Sequence, residues 1–179
     1  MILAIVGLSG SGKDTLAKYI SNKYNIPMLV SYTTRPMRDY ETNGVQHWFI
    51  SKEKMDEIKQ NEKLIAYTIN DMTGIEYCAT KSQVEGKDII YIINPDGIYW
   101  LKKNCPEVEL KTILIKPDKE GSMNRLIARG DKEEVLTLRI NSEIEEFTEF
   151  YKSGTYDCLI DNNGTLEDLF NKVDSFLER

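Results

Sequence analysis

The residues best suited to chemistry form a glycine-rich segment directly after the first apolar run of the chain. Residues 7–15 read GLSGSGKDT, and they fit the spacing G-x-x-x-x-G-K that surrounds bound phosphate. Glycines let the backbone wrap tightly, so that its N–H groups point inward at an anion, and the following helix adds the positive end of its dipole. The segment therefore predicts a binding site for a nucleoside triphosphate, in which Lys13 reaches the β- and γ-phosphates.

One position of this segment departs from the usual pattern. Asp14 stands where a serine or threonine is expected, and Thr15 follows it. An acid in the first turn of a helix stabilises that helix by about 0.3–1 kcal/mol through the dipole, which is the ordinary explanation for Asp14. Carboxylate oxygens are also hard ligands suited to Mg²⁺. We therefore expect Asp14, with Thr15 in support, to bind Mg²⁺ beside the triphosphate.

A second group of charged residues is suited to a second phosphate. Arg35 and Arg38 lie three residues apart around a proline, and each guanidinium can grip a phosphate monoester by paired hydrogen bonds. A solvated basic turn is the ordinary alternative, but the phosphate loop on the same chain favours a pocket. The only histidine, His47, is either part of this pocket or a half-buried strand residue, and no second histidine or cysteine supports a metal site there.

The elements that must position these residues follow from the apolar pattern. Continuous apolar runs at 2–6, 88–93, 110–115 and 157–161 predict buried parallel strands. Helical patterns lie between them: one after residue 13, one near 96–103, a polar one bearing Arg125 and Arg129, an acidic one over about 134–151, and a closing helix capped by Thr165 and Asp168. This alternation predicts an α/β fold with a mainly parallel sheet flanked by helices.

Residues 33–79 interrupt the alternation. They are polar, rich in turn residues and carry short alternating runs such as HWFIS and LIAYT. We interpret them as an inserted, partly antiparallel lobe on the C-terminal side of the core sheet, and the core as residues 1–32 and 80–179.

Length and composition limit the possible functions. The chain has 179 residues, of which 41% are hydrophobic and 29% charged, and this predicts a single soluble domain. A net charge of −6 argues against a nucleic-acid partner. No apolar run approaches the ~20 residues of a membrane span, and no targeting signal is visible, so no membrane partner is expected. Three widely spaced cysteines favour the reducing cytoplasm.

Several stretches taken together resemble the guanylate kinase family. These are the phosphate loop, SYTTRPMR at 31–38 with the NG and FIS that follow, GIEY at 74–77, RLIARG at 125–130 with Arg139 after it, and LIDNNGTLEDL at 159–169. The similarity runs the length of the chain and is most specific over the first 55 residues. In the family, the stretch that matches 74–77 lines the acceptor site. The stretch that matches 125–130 with Arg139 is a mobile lid, and the one that matches 159–169 is the adenine-side turn.

The resemblance implies a P-loop kinase that moves the γ-phosphoryl group of ATP, with Mg²⁺, to a nucleoside monophosphate, GMP or dGMP first of all. It implies a lid over about 125–139, a monomer or homodimer, and three sets of site residues. ATP would be bound by Gly7, Ser9, Gly10, Ser11, Gly12, Lys13, Asp14, Thr15 and Asn162. The acceptor would be bound by Ser31, Arg35, Arg38, His47, Tyr77 and Asn94. The transferring group would be stabilised by Lys13, Arg125, Arg129 and Arg139.

The chain departs from the family at the base-reading positions. Ala66 and Ala79 stand where the family has an acid and a serine, and Ile92 and Asn94 replace acids at the end of the 88–93 run. Asp71, Glu76 and Asn94 are candidates for a rearranged reader. Two alternatives stay open: a kinase of another phosphate monoester, such as a modified nucleotide or ribose 1,5-bisphosphate, and a non-catalytic guanylate-kinase-like binding module.

Overall fold

The computed structural model describes residues 1–70, 73–116, 118–128 and 133–178. Along the chain its elements are β1 (Ile2–Val6), α1 (Lys13–Tyr24), β2 (Tyr32–Thr33), β3 (Trp48–Phe49), α2 (Lys52–Asn61), β4 (Leu64–Ile69), β5 (Glu76–Thr80), α3 (Lys81–Val84), β6 (Ile89–Ile92), α4 (Pro95–Asn104), β7 (Leu110–Ile115), α5 (Lys119–Ile127), α6 (Glu133–Ser153), β8 (Cys158–Ile160) and α7 (Leu166–Leu177). The α/β fold predicted from the sequence is confirmed.

The main sheet is parallel and has β1 at its centre. Its strand order is β6-β1-β7-β8, and every neighbouring pair is parallel. Met28 adds a short parallel bridge to Ile90 at the outer edge of β6. The four apolar runs of the sequence are the four strands of this sheet. Because all strands point the same way, the loops at their carboxyl ends meet at one edge.

Helices cover both faces of this sheet, as the side-chain alternation of β1 requires. Ala4 and Val6 belong to an apolar cluster shared with α4 and α6. Leu3 and Ile5 belong to a second cluster shared with α1 and α7. Successive side chains of a strand point to opposite faces, so an unbroken apolar run such as β1 is stable only when both faces are covered.

The second sheet has the order β3-β2-β5-β4. Its β2–β5 and β4–β5 pairs are antiparallel, whereas the short β2–β3 pair is parallel. One face is covered by α2, whose Met55 and Ile58 are buried against Cys78. This sheet lies in the segment interpreted as an inserted lobe, apart from its ends at Tyr32 and Thr80.

Helix boundaries agree with several sequence predictions and differ in one respect. The N-cap of α7 is Thr165, which forms a reciprocal capping box with Asp168. The polar helix α5 carries Arg125 but ends at Ile127, and Arg129 lies outside the described residues. Among the described helices, none combines the length and apolar character that a membrane span requires.

A partly buried group of hydrogen bonds joins the first helix of the fold to the last. Asp174 of α7 accepts hydrogen bonds from the hydroxyls of Tyr19 (2.6 Å) and Tyr24 (2.8 Å) and from Nζ of Lys23 (2.7 Å). The ring of Tyr19 also stacks on Phe170, with 3.8 Å between ring centroids. Burial opposes ionisation of Asp174, but its three donors outweigh burial and hold the pKa of this carboxyl below its usual range. These contacts fix α1, the helix that starts at the phosphate loop.

Replacing Asp174 tests this junction. Asp174→Ala should lower the free energy of unfolding by about 2–3 kcal/mol, because a charged acceptor shared by three donors is lost. Urea denaturation measures the change. Glu167→Ala, at an exposed site on the same helix, should change stability by about 0.5 kcal/mol or less. Equal losses in the free energy of unfolding for the two variants would show that the Asp174 contacts between α1 and α7 do not stabilise the fold.

Candidate active site

The loop between β1 and α1 has the backbone of an anion-binding turn. Gly10 (φ 76°) and Gly12 (φ 98°) adopt the left-handed conformation that glycine tolerates best. Gly12 is the N-cap of α1 and no side chain caps this helix terminus, so the first N–H groups of α1 face the loop without a side-chain acceptor at the cap. A helix terminus of this kind favours a bound anion through its N–H groups and its dipole.

Two side chains from distant elements brace the outer carbonyls of this loop. Nε of Arg125 donates to the Gly10 carbonyl at 2.6 Å, and Nδ2 of Asn162 donates to the Ser11 carbonyl at 2.8 Å. Asn162 approaches so closely that a Cβ on Gly12 would lie 2.6 Å from Nδ2. The structure therefore places Asn162 and Arg125 against the loop, where they orient its backbone.

The charged residues of the loop itself lie at its mouth. Nζ of Lys13 folds back to within 3.3 Å of the Leu8 carbonyl. Asp14 is exposed in the first turn of α1, and Thr15 beside it is half-buried. Among the described residues, no three His, Cys, Asp or Glu side chains lie close enough to form a metal cluster. A cation at Asp14 would therefore take most of its ligands from the triphosphate, which is how proteins commonly bind Mg²⁺.

An acidic side chain from α6 reaches the same loop. Both carboxylate oxygens of Glu143 accept hydrogen bonds from Ser9, one from its backbone N–H (2.8 Å) and one from its hydroxyl (2.7 Å). Sequence analysis missed Glu143, because nothing in its type or spacing distinguishes it from the other acids of this helix. Gly7 and Ser11 complete the base of the loop, where a Cβ on Gly7 would lie 2.6 Å from Oγ of Ser11.

The acceptor arginines are organised by an acid that sequence analysis also missed. Glu41 receives two hydrogen bonds from the guanidinium of Arg35, at 2.7 and 2.9 Å, and a third from the backbone N–H of Arg38 at 2.9 Å. The Glu41 side chain is only 5% exposed. Burial opposes its ionisation, but the bonds from Arg35 and Arg38 outweigh burial and hold its pKa below the usual range. Glu41 therefore fixes the direction of Arg35.

The two guanidinium groups are not equivalent. The Arg35 side chain is 13% exposed, and its guanidinium lies over the ring of Phe49, 5.2 Å from the centroid. That of Arg38 donates instead to the hydroxyl of Tyr40 at 3.0 Å, near the surface. The sequence predicted that both guanidinium groups converge on one anion. In the structure only the guanidinium of Arg35 binds Glu41, which Arg38 contacts through its backbone N–H.

His47 packs among Ser31, Phe49 and Tyr77 of the second sheet and its edge. Its Nδ1 is 3.0 Å from Oγ of Ser31, and its ring meets that of Tyr77 edge-on at 5.6 Å. Burial first, and then the charge of Arg35, lower the pKa of His47 to about 4, while the carboxylate of Asp14 acts in the opposite direction. His47 is therefore neutral near pH 7.

Of the three candidates for a rearranged base reader, the two that the structure describes, Glu76 and Asn94, are both bound to other groups of the protein. Glu76 is 1% exposed and its carboxylate is bound by Lys52, by Lys59 (2.8 Å) and by the hydroxyl of Tyr67 (2.8 Å). Asn94 is the N-cap of α4, where its side-chain oxygen accepts from Gly97 N–H at 3.1 Å. Glu76 is committed to the lobe interior, so its proposed role as a base reader is wrong.

Other expected positions fall into two groups. Ala66 and Ala79 are buried cross-strand partners of β4 and β5, so they present only methyl groups. Asp71, Arg129 and the side chain of Arg139 lie outside the described residues.

A phosphate loop after an inner strand of a parallel sheet, with a second sheet inserted along the chain between α1 and β6, defines the fold of a P-loop kinase. The guanylate kinase family model matches residues 1–179. The chain is 32% identical to guanylate kinase of Clostridium tetani, over 99% of this chain and 85% of that one, and 31% identical to that of Fusobacterium nucleatum, over 99% and 95%. The fold resembles guanylate kinase of Anaplasma phagocytophilum (TM-score 0.73, 21% identity, 99% and 84% covered). The chain belongs to the guanylate kinase family.

The Glu76 cluster yields a prediction about stability and pH. Burial opposes ionisation of Glu76, but Lys52, Lys59 and Tyr67 outweigh it and lower its pKa below the ordinary 4.5. A carboxyl group whose pKa is lowered by folding stabilises the folded state at pH values above its unfolded-state pKa. This stabilisation is lost as the pH falls through the folded-state pKa. Glu76→Gln should therefore cost about 2 kcal/mol at pH 7, a figure reduced by the partial exposure of both lysines.

Urea denaturation from pH 7 to pH 3 measures this effect. The difference between the wild type and Glu76→Gln should shrink below pH 4.5. Glu57→Gln, an exposed partner of Lys54 on α2, is the matched control and should change little at any pH. If the free energy of unfolding of Glu76→Gln differs from that of the wild type by the same amount from pH 7 to pH 3, an ionised Glu76 does not stabilise the fold.

Proposed function

We propose that the chain is an ATP-dependent nucleoside monophosphate kinase, which transfers the γ-phosphoryl group of ATP to GMP or dGMP and yields ADP with GDP or dGDP. One observation carries this proposal: the chain combines a glycine-rich phosphate loop at the start of α1 with an arginine, Arg35, whose guanidinium Glu41 holds in place. Phosphoryl transfer needs two phosphates aligned in a cleft with positive charge around them, and it needs no covalent nucleophile. Family membership supports the same reaction.

The donor would bind at the phosphate loop. Its β- and γ-phosphates would meet the N–H groups that Gly10 and Gly12 turn inward, and Lys13 would contribute the cation. Asn162 lies on the outer side of the loop, where the family resemblance expects the adenine. Asp14 and Thr15 would hold Mg²⁺, which would reduce repulsion between the triphosphate and the carboxylate and polarise the transferring group.

The acceptor phosphate would bind at Arg35. Glu41 fixes this guanidinium before the substrate arrives, so less side-chain entropy is lost on binding. Ser31, Tyr77 and the neutral His47 surround the same space and can donate hydrogen bonds. Arg38 is near the surface in the described state and would turn inward to grip the phosphate monoester.

Positive charge for the transferring group would come from Lys13, Arg125, Arg129 and Arg139. Such groups stabilise charge that develops in the transition state, and they act most strongly where water is excluded. The bond from Arg125 to the loop supports its place in this set, because it already lies beside the donor site. An intact phosphate loop disfavours the non-catalytic alternative.

A coupled assay of ADP release tests the reaction. The panel comprises all ribo- and deoxynucleoside monophosphates and ribose 1,5-bisphosphate, each with Mg²⁺ and ATP. We expect the highest kcat/KM with GMP or dGMP. If no member of the panel raises ADP release above the hydrolysis background, the kinase proposal fails.

Two substitutions separate donor and acceptor roles. Lys13→Ala should lower kcat by about 10²–10³-fold, because a cation aimed at developing charge is lost. Arg35→Ala should mainly raise the KM of the acceptor, since it removes ground-state binding of its phosphate. Lys18→Ala, at an exposed site of α1, is the control and should leave both parameters unchanged. A large rise in the KM of ATP for Arg35→Ala would show that Arg35 contacts ATP, and that its assignment to the acceptor is wrong.

A further inference from the structure

The phosphate loop already holds an anion of the protein itself. Both oxygens of Glu143 are bound by Ser9, and the two residues are 134 positions apart in the chain. Ser9 is 5% exposed, so this contact is enclosed by protein on most sides. A carboxylate bound by one backbone N–H and one hydroxyl uses the same kind of donors that a phosphate oxygen would use.

The loop belongs to the proposed triphosphate site, so the contact between Glu143 and Ser9 should weaken the binding of a triphosphate there. Ser9 is the third residue of the seven-residue pattern that surrounds phosphate. A triphosphate that enters the loop must either share the donors of Ser9 with a second anion or displace that anion. Like charges in a partly desolvated site repel strongly, so displacement is the favoured outcome.

A second acid strengthens this conflict. Glu146 lies one turn further along α6. Burial first, and then the charge of Asp96, raise its pKa to about 7, and among the described residues its Oε1 has no hydrogen-bond partner. Any fraction of Glu146 that is ionised adds to the negative charge that α6 brings to the loop.

The position of Glu143 on α6 connects this contact to the lid. Leu136 and Ile140 of α6 are buried against Leu126 of α5, and α5 also carries Arg125, which binds the Gly10 carbonyl. The segment between α5 and α6 contains the predicted lid residue Arg129. A movement of α6 away from Ser9 would therefore also move the helix that precedes the lid.

We propose that Glu143 is a latch, whose carboxylate occupies the Ser9 donors in the nucleotide-free protein and withdraws when a triphosphate enters the loop. This inference rests on the phosphate-loop part of the proposed function. The latch makes the donor site available only in the fraction of molecules in which it is open, so the apparent Kd equals the intrinsic Kd divided by this fraction. Nucleotide binding would then be coupled to displacement of α6.

Shortening the side chain tests the latch without removing its charge. Glu143→Asp loses one methylene, so its carboxylate no longer reaches Ser9, and Glu143→Ala removes it altogether. Titration calorimetry with a non-hydrolysable ATP analogue and with inorganic tripolyphosphate should show binding about tenfold tighter for both variants. Glu145→Asp, at an exposed neighbouring position, is the matched control and should bind as the wild type does.

Two outcomes of this titration would overturn the latch. Unchanged or weaker binding in both Glu143 variants, with wild-type melting temperatures, would show that Glu143 does not compete with the ligand. Tighter binding in Glu143→Ala but not in Glu143→Asp would assign the effect to charge at a distance rather than to the contact with Ser9.

A second measurement needs no nucleotide. In the ligand-free protein the Ser9 amide should exchange its hydrogen slowly, and Glu143→Asp should accelerate this exchange at least about tenfold, because the acceptor is lost. Equal exchange in the two proteins would contradict the latch even if the kinase assay succeeds. Conversely, slow exchange and tighter tripolyphosphate binding without phosphoryl transfer would preserve the latch and reject the proposed reaction.

Discussion

The site depends on keeping the carbonyls of one short turn pointing outward, so that its N–H groups point inward. A backbone with two left-handed glycines is not stable in this shape by itself, because glycine loses much conformational entropy when it is ordered. The hydrogen bonds from Arg125 and Asn162 to the Gly10 and Ser11 carbonyls supply the constraint. Arg125 lies on the helix that follows β7, the neighbour of β1, and Asn162 follows β8, which pairs with β7, so both donors start from the same edge of the sheet as the loop.

The lobe uses two buried acids in different ways. Glu41 fixes the direction of one guanidinium, that of Arg35. Glu76 is neutralised by two lysines and a tyrosine inside the lobe, and it holds α2 against the second sheet. An ionised carboxylate can be buried only with such partners, so each acid fixes the side chains that surround it. The first acid orients a residue of the proposed acceptor site, and the second stabilises the lobe.

The sequence predicted the order of strands and helices because apolar runs and helix caps are local signals. It also identified the phosphate loop, where residue type and spacing alone determine the chemistry. It did not identify Glu41 or Glu143, because the role of an acid depends on which side chain lies opposite it in the folded chain. It assigned Glu76 wrongly for the same reason, since nothing local indicates that Lys52 and Lys59 surround it. Side-chain direction in an inserted lobe is a tertiary property.

The bond between Asn162 and Ser11 joins residues 151 positions apart, and this has a consequence for biosynthesis. During synthesis the loop is made well before Asn162, which braces it. Domains generally fold as units during synthesis. A nascent chain that stops before β8 therefore has the glycine-rich segment but not the hydrogen bond from Asn162 that holds the Ser11 carbonyl. The loop should reach its final backbone shape only after β8 and Asn162 have been added.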